Sequence, residues 1–223
     1  MEGARLTKAS QLPADARVAL VVAHPDDETL WAGGTLLQHP GWAPFVAALC
    51  RKGDPDRAPR FARAIERLHA VGSMNDLDDG PEQTPLPEED VRDAVLSLLP
   101  RRDYDLLVTH APWGEYTRHL RHEETSKAVI ALWASGEIRA DSLWLFAYED
   151  GGRTHPPRAE GGAHLRFPLS RPAWEEKYAI ITDVYGFGPG SWEASAAPRE
   201  EAFWVPSSPE QAVAWAVRGS AQP

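Results

Sequence analysis

Two clusters of candidate metal ligands follow two separate apolar runs in this 223-residue chain. The run VALVVA at 18–23 leads into one histidine and three acids: His24, Asp26, Asp27 and Glu28. The run DLLVTH at 105–110 is followed by His119 and His122, which are three residues apart. Two imidazoles and one carboxylate from these clusters can bind one divalent ion, and this set suits zinc. Three protein ligands leave a position for water, as in a catalytic zinc site.

The groups that do not bind the ion can move protons. Zinc lowers the pKa of a bound water to about 7, and Asp26 can accept the proton of that water. The remaining histidine can stabilise charge on the attacked oxygen or protonate the leaving group. Acids at a helix N-terminus also complement the helix dipole, and we assign a structural role of this kind to Glu28. The helix dipole does not explain the presence of His24, and this favours the interpretation of the cluster as a metal site.

Alternating strands and helices must position both clusters. Apolar runs predict four buried strands, at 18–23, 45–50, 105–110 and 142–148. Helical periodicity predicts helices at 27–38, about 58–71, about 88–99 and about 122–134, with Gly72 and Pro100 as helix stops. This alternation predicts an α/β, Rossmann-like layered domain with a mostly parallel central sheet. Both clusters then follow carboxyl ends of strands, where open α/β sheets bind ligands.

The last third of the chain follows a different pattern, with Gly/Pro-rich loops between short elements. We predict a strand in HLRFPLS (164–170), a helix in PAWEEKYAIITDVY (172–185) and a terminal helix capped by Ser208. The polar segment SMNDLDDG (73–80) carries only a weak strand signal. We interpret residues 1–223 as a single domain with a core at about 17–150 and a C-terminal appendage at about 151–223. Loops of the appendage are expected to shape a substrate site.

Tryptophans near predicted turns are candidates for the wall of a cleft. The chain has nine tryptophans, and we expect some of four to line it: Trp31, Trp113, Trp192 and Trp204. His155 and His164 flank the loop PPRAEGGA, and for these two we expect exposure to solvent.

Composition and charge exclude several classes of partner. The formal net charge of −10 disfavours nucleic acid and anionic membranes. The single cysteine, Cys50, excludes an internal disulfide and a thiolate zinc cluster. The sequence shows neither a signal-peptide apolar region nor an apolar run long enough for a membrane span. We therefore expect a cytoplasmic protein that binds a small molecule, with homo-oligomerisation left open.

The motifs AHPDDE (23–28) and HLRH (119–122) resemble those of the PIG-L/LmbE-like family of zinc-dependent N-acetylglucosamine deacetylases. The resemblance covers about residues 17–135 and implies a Rossmann-like fold with a bound Zn2+. It implies His24, Asp27 and His122 as zinc ligands. It also implies Asp26 as the general base and His119 as the electrophilic or acid histidine. The helix pattern R…LG of the family aligns Arg60 with Gly72, which makes Arg60 a candidate contact for a substrate hydroxyl or phosphate.

This sequence also departs from the pattern of the family. Relatives usually read GEYGHPDH, whereas this chain reads GEYTRHLRH, with one more residue between Tyr116 and His119. Leu120 and Arg121 replace a proline and an acid, and Arg63 stands where glutamate is common. These changes leave the ligand set intact but are expected to alter the loop and with it the choice of substrate.

The resulting hypothesis is a zinc-dependent hydrolase that removes an N-acetyl group from an N-acetylglucosamine-type sugar or glycoconjugate. One alternative is an amidase that acts on a larger amide conjugate. A second is a non-catalytic relative that binds zinc and carbohydrate. A third is a phosphoacceptor receiver domain that binds magnesium, but paired histidines suit magnesium poorly.

Overall fold

Five of the seven strands in the main sheet are parallel in the computed structural model, which describes residues 12–116 and 118–219. The strands are β1 (Arg17–Val22), β2 (Ala43–Cys50), β3 (Val71–Leu77), β4 (Asp103–Thr109), β5 (Arg139–Phe146), β6 (Tyr148–Glu149), β7 (Arg158–Ala159), β8 (Leu165–Pro168) and β9 (Glu200–Trp204). Their order is β3-β2-β1-β4-β5-β9-β8, while β6 and β7 pair separately. Strand β9 runs antiparallel to both β5 and β8. The predicted α/β architecture with a mostly parallel sheet is confirmed.

Helices cover both faces of this sheet. They are α1 (Asp27–Gln38), α2 (Arg57–Arg67), α3 (Glu88–Leu98), α4 (Leu120–Ser135), α5 (Arg171–Ala179), α6 (Trp192–Ala196) and α7 (Pro209–Arg218). Strand β1 has an apolar sequence because both of its faces are buried. Val18 and Leu20 pack with α1 and α2 on one face, whereas Ala19 and Val21 pack with α3, α4 and α7 on the other. None of the described helices is long and apolar enough to cross a bilayer.

The strand order places β1 beside β4 at the centre of the sheet. Strand β2 lies on one side of β1, and β5 lies on the far side of β4. The chain order therefore reverses between β1 and β4, and ligands bind in the crevice beyond such a switch point. Because these two strands precede the two histidine clusters, the fold brings both clusters to one crevice.

The region around Gly72 differs from the sequence-based prediction. Helix α2 ends at Arg67 rather than near residue 71, and His69 in a left-handed conformation (φ 54°) turns the chain out of the helix. Gly72 is not a helix stop but lies within β3, where a Cβ would come within 3.1 Å of the Phe61 and Ile65 side chains. The weak strand signal of this segment reflects its position at the edge of the sheet, where Met74 is the one buried residue.

Residues after 150 complete the sheet through β8 and β9, and one buried carboxylate, that of Glu201, joins them to α1. The Lys177 ammonium lies 2.6 Å from the Glu201 carboxylate, and both side chains are fully buried. Glu201 also accepts hydrogen bonds from the backbone amides of Gly34 and Thr35 in α1. At the other end, Ser208 caps α7 as predicted, since its hydroxyl accepts from the Gln211 amide.

Candidate metal centre

A strained turn between β1 and α1 carries the two adjacent aspartates. Asp26 has φ 120°, outside the usual range for a residue with a side chain. Its carboxylate makes no capping hydrogen bond to α1, whereas Glu28 accepts the Asp26 amide at 3.0 Å. Glu28 is fully buried and also binds Thr29 and Tyr185. Glu28 therefore has the structural role predicted for it, and the carboxylates of Asp26 and Asp27 remain available to the crevice.

Three donor atoms converge at the end of β1. His24 Nδ1 lies 3.3 Å from Asp27 Oδ2 and 3.1 Å from His122 Nε2. His122 Nε2 lies 3.4 Å from the same Asp27 oxygen. A tetrahedral ion with bonds of about 2.0–2.1 Å requires its ligand atoms to be about 3.3 Å apart. The three groups thus have the chemistry and the spacing to hold one small divalent ion.

Each of the three donor groups has a second protein group beside it. Glu115 Oε2 lies 2.7 Å from His122 Nδ1, which directs Nε2 of that ring toward the centre. The Trp31 indole donates to Asp27 Oδ1 at 3.1 Å and leaves Oδ2 facing the histidines. Asp79 Oδ1 lies 3.2 Å from His24 Nε2. Such outer partners are typical of metal-binding imidazoles and carboxylates.

Sequence reasoning missed His110 and the bridging role of Glu115. Both are buried, and Glu115 Oε1 accepts from His110 Nδ1 at 2.6 Å while its other oxygen binds His122. The His110 ring stacks on His122 at 4.0 Å, and its Nε2 accepts the Ala23 amide. His110 forms one group of candidate ligands with Asp27 and His122, while His24, His119 and His122 form another. Because its free lone pair already binds the Ala23 amide, we assign His110 a positioning role.

Asp26 and His119 lie in the same cleft as the three donors. Burial and the adjacent Asp27 carboxylate raise the pKa of Asp26, and the Arg57 guanidinium is 3.4 Å from its Oδ2. The His119 ring lies 4.6 Å from the His122 ring and 4.7 Å from the His24 ring. Its buried Nδ1 has no hydrogen-bond partner within the described part of the chain, and burial lowers the pKa of His119 to about 4. A ligand in the cleft can therefore use both side chains.

The structure does not bring Arg60 to the cleft. Its guanidinium binds Asp56 at 2.8 Å and the Val184 carbonyl at 3.0 Å, so it holds α2 against the segment after α5. Arg57, one helical turn earlier, lines the cleft and stacks over the Phe187 ring at 4.6 Å. The assignment of Arg60 to substrate binding stays a prediction without a contact to support it.

The cleft has a volume of about 240 Å³ and an aromatic side. Tyr116 and Trp192 line it, so one of the four tryptophans proposed for a cleft is found there. Trp31 and Trp204 are buried, and Trp113 packs against Trp215. His164 is exposed at the surface, whereas His155 is half-buried and bonded to Arg158.

The altered segment before α4 has a structural explanation at Arg121. This side chain is 2% exposed and donates to the backbone carbonyls of Asp78 and Thr84. It also pairs with Glu124 in the next turn of α4. Arg121 thus fixes the 78–84 loop, which carries Asp79 to His24. Thr117 lies outside the described residues.

Comparison with known proteins identifies relatives of this chain. A family model described as PIG-L: GlcNAc-PI de-N-acetylase matches residues 19–133, more than half of the chain. The uncharacterized protein L374 of Acanthamoeba polyphaga mimivirus is 23% identical over an alignment of 144 residues, and the match covers 58% of this chain and 61% of the relative. The chain therefore matches less than two thirds of the length of that relative.

Solved structures share the fold. An N,N'-diacetylchitobiose deacetylase from Pyrococcus horikoshii superposes with a TM-score of 0.61 at 16% identity, over 86% of this chain and 84% of the other. GalB, a 4-carboxy-2-hydroxymuconate hydratase from Pseudomonas putida, superposes with a TM-score of 0.56 at 19% identity, over 80% and 82%. One relative is a deacetylase and the other a hydratase, so the reaction has to be argued from the site.

Proposed function

The chain belongs to the PIG-L family, and from this premise we propose that it is a zinc-dependent hydrolase that removes the N-acetyl group of an N-acetylglucosamine-type sugar. The observation that carries the proposal is the spacing of three donor atoms, on His24, Asp27 and His122, at 3.1–3.4 Å from one another. Two imidazoles and a carboxylate suit zinc better than magnesium, which prefers oxygen ligands. The solved chitobiose deacetylase of the same fold supports the reaction class.

Zinc bound by these residues supplies a Lewis acid that polarises an amide carbonyl and lowers the pKa of water. Asp26 then accepts a proton from the attacking water, since its carboxylate lines the cleft and does not cap α1. His119 hydrogen-bonds the acyl oxygen or the leaving nitrogen through its ring. Glu115 and Asp79 hold the imidazoles of His122 and His24 in place. Addition of water across the amide bond yields acetate and a free amine.

The dimensions of the cleft bear on the alternatives. Pockets for drug-sized ligands usually measure about 300–1,000 Å³, and this cleft of about 240 Å³ is smaller. It suits a short acyl group better than a long acyl chain. The carboxylate of Asp26, which the three donors do not require, favours catalysis over simple binding of metal and carbohydrate.

An acetate-release assay on zinc-loaded protein tests the proposal. The substrates are N-acetylglucosamine, chitooligosaccharides and glycosides of N-acetylglucosamine, with a larger N-acyl analogue for comparison. We expect release of acetate that depends on one zinc per chain and stops on chelation. Asp93→Asn, which removes an exposed carboxylate of α3, serves as the matched control. Zinc-loaded protein that cleaves no acetamide in this panel would contradict the proposed function.

A further inference from the structure

The outer rim of the cleft comes from the C-terminal third of the chain. Trp192 and Glu193, the first two residues of α6, both line the cleft. Trp192 is 44% exposed and is the one large aromatic side chain on the surface of the described residues. Both positions lie outside the stretch 19–133 that the family model matches. The rim is thus added to the site by a part of the chain that does not supply the metal ligands.

A ladder of aromatic rings fixes the position of Trp192. Its ring centroid lies 5.1 Å from that of Tyr116, which lies 5.1 Å from that of Trp31 in the core. Trp31 in turn packs 4.9 Å from Tyr148 and donates its indole N–H to Asp27. Ser191 caps α6 by accepting the Ala194 amide. The exposed indole is therefore held against the site by a buried support, which ordinary surface tryptophans lack.

Glu193 places an unused acceptor beside this indole. Its half-buried carboxylate makes no hydrogen bond or ion pair within the described part of the chain, whereas the two arginines of the cleft are paired with acids. A flat apolar face next to a free carboxylate matches one face of a sugar ring, whose C–H groups pack on the indole while its hydroxyls donate to the carboxylate. An alkyl chain would leave the carboxylate without a partner, and a phosphate would be repelled by it.

We propose that Trp192 and Glu193 form a second sugar subsite, which binds an uncharged ring joined to the acetylated one. The substrate is then an N-acetylated oligosaccharide or glycoside rather than a free monosaccharide. Trp192 and Glu193 line the same cleft of about 240 Å³ as the three donor groups, so a ring joined to the acetylated one would contact this pair. This inference rests on the proposed function for the reaction and on the rim residues for the identity of the substrate.

Kinetics and binding on two sugars test the subsite. Acetate release is measured with N-acetylglucosamine and with N,N'-diacetylchitobiose for the wild type, Trp192→Ala, Trp192→Phe and Glu193→Gln. We expect the wild type to prefer the disaccharide by about tenfold or more in kcat/KM. Trp192→Ala should remove most of this preference through a higher KM, and Trp192→Phe should restore part of it. Trp174→Ala is the matched control, because Trp174 is a half-buried tryptophan of α5 that does not line the cleft.

Calorimetric binding of the disaccharide to the zinc-loaded Asp26→Asn variant, with and without Trp192→Ala, separates the subsite from the reaction. Binding that depends on Trp192 supports the subsite even where the wild type releases no acetate, an outcome that would contradict only the proposed function. Equal activity on both sugars, unaffected by Trp192→Ala, would overturn the subsite and leave the function standing. Preference for a long-chain acyl amide or for a sugar phosphate, lost in Trp192→Ala, would also overturn it.

Discussion

Replacement of Glu115 by glutamine should weaken metal binding although Glu115 is not a ligand. Its two carboxylate oxygens accept from His110 Nδ1 at 2.6 Å and from His122 Nδ1 at 2.7 Å. Against the effect of burial, the two imidazoles hold the pKa of Glu115 at about 2, so the group is ionised and only accepts. Both rings therefore carry hydrogen on Nδ1, which leaves Nε2 of His122 as the ring atom that can bind the ion.

A glutamine side chain cannot satisfy both rings, because its amide NH₂ donates where the second carboxylate oxygen accepted. One imidazole must then move its proton to Nε2. If His122 does so, the proton occupies the position of the lone pair that faces Asp27 and His24. If His110 does so, its Nε2–H faces the N–H of Ala23, which in the wild type donates a hydrogen bond to this nitrogen at 2.9 Å. Either result disturbs the centre without removing a ligand.

The expected size follows from the known effect of such outer partners. Loss of one usually weakens metal binding by about 10–100-fold, or about 1.4–2.7 kcal/mol. The mismatched buried hydrogen bond should also lower the free energy of unfolding of the metal-free protein by about 1–3 kcal/mol. Competitive titration with a chromophoric chelator measures zinc affinity, and urea unfolding of the metal-free protein measures the second effect.

Glu123→Gln is the matched control for this experiment. Glu123 directly follows His122, but its buried carboxylate pairs with Arg118 and Lys127 rather than with an imidazole. Because weaker metal binding is expected only on loss of a partner of the ligands, zinc affinity should stay within about twofold of the wild type. A folded Glu115→Gln protein with unchanged zinc affinity would refute the argument that Glu115 sets the tautomer of His122.

Three further predictions concern the two aspartates after β1, the Asp79 carboxylate beside His24, and the buried Lys177–Glu201 pair. Asp26→Asn should keep the zinc content and lower acetate release by about 10²–10⁴-fold. Asp27→Asn should instead lose zinc, and with it the stabilisation against thermal unfolding that bound zinc confers, which is about 2.7 kcal/mol at a zinc concentration of 100 times the Kd. Loss of zinc from Asp26→Asn would reverse the two roles. Asp79→Asn should weaken zinc binding by about tenfold in the chelator titration, because Asp79 Oδ1 lies 3.2 Å from His24 Nε2; equal affinity would show that this contact does not orient the ring. Lys177→Met should lower the free energy of unfolding in urea by about 3–5 kcal/mol, since it leaves the fully buried Glu201 carboxylate without its counter-ion. A decrease in this free energy smaller than that caused by replacing an exposed lysine would contradict this account.

The sequence predicts the architecture and the convergence of the two clusters because both depend on short-range pattern. Fully apolar strands that alternate with amphipathic helices specify a parallel sheet, and such a sheet collects its carboxyl ends at one edge. Edge strand β3 is harder to recognise, since one of its two faces is open to solvent and its residues are polar. The glycine at its start serves close packing against Phe61 and Ile65 and is not a helix stop.

Long-range partners are less accessible to sequence reasoning. The contact of Glu115 with His110 and His122 needs the loop after β4 to fold back on itself, and that of Asp79 with His24 joins residues 55 positions apart. A histidine at the end of β4 followed five residues later by an acid was a usable signal for the first of these. Arg60 stays a prediction without a contact in the cleft, since Arg57, three residues earlier on α2, lines the cleft while Arg60 binds Asp56 and the Val184 carbonyl.

The proposed metal ligands and the rim of the cleft come from different kinds of structure, and this separation has consequences for the choice of substrate. His24 and Asp27 follow directly on a fully buried strand, so their positions are fixed by the core of the sheet. Trp192 follows a glycine-rich surface loop that starts at Gly186, where φ is 80°, and such loops accept changes of sequence and length at small cost in stability. Substitution within the rim should therefore alter which sugars are accepted while zinc affinity stays constant. A change in zinc affinity on replacing Trp192 would show instead that the aromatic ladder through Trp31 transmits strain to Asp27.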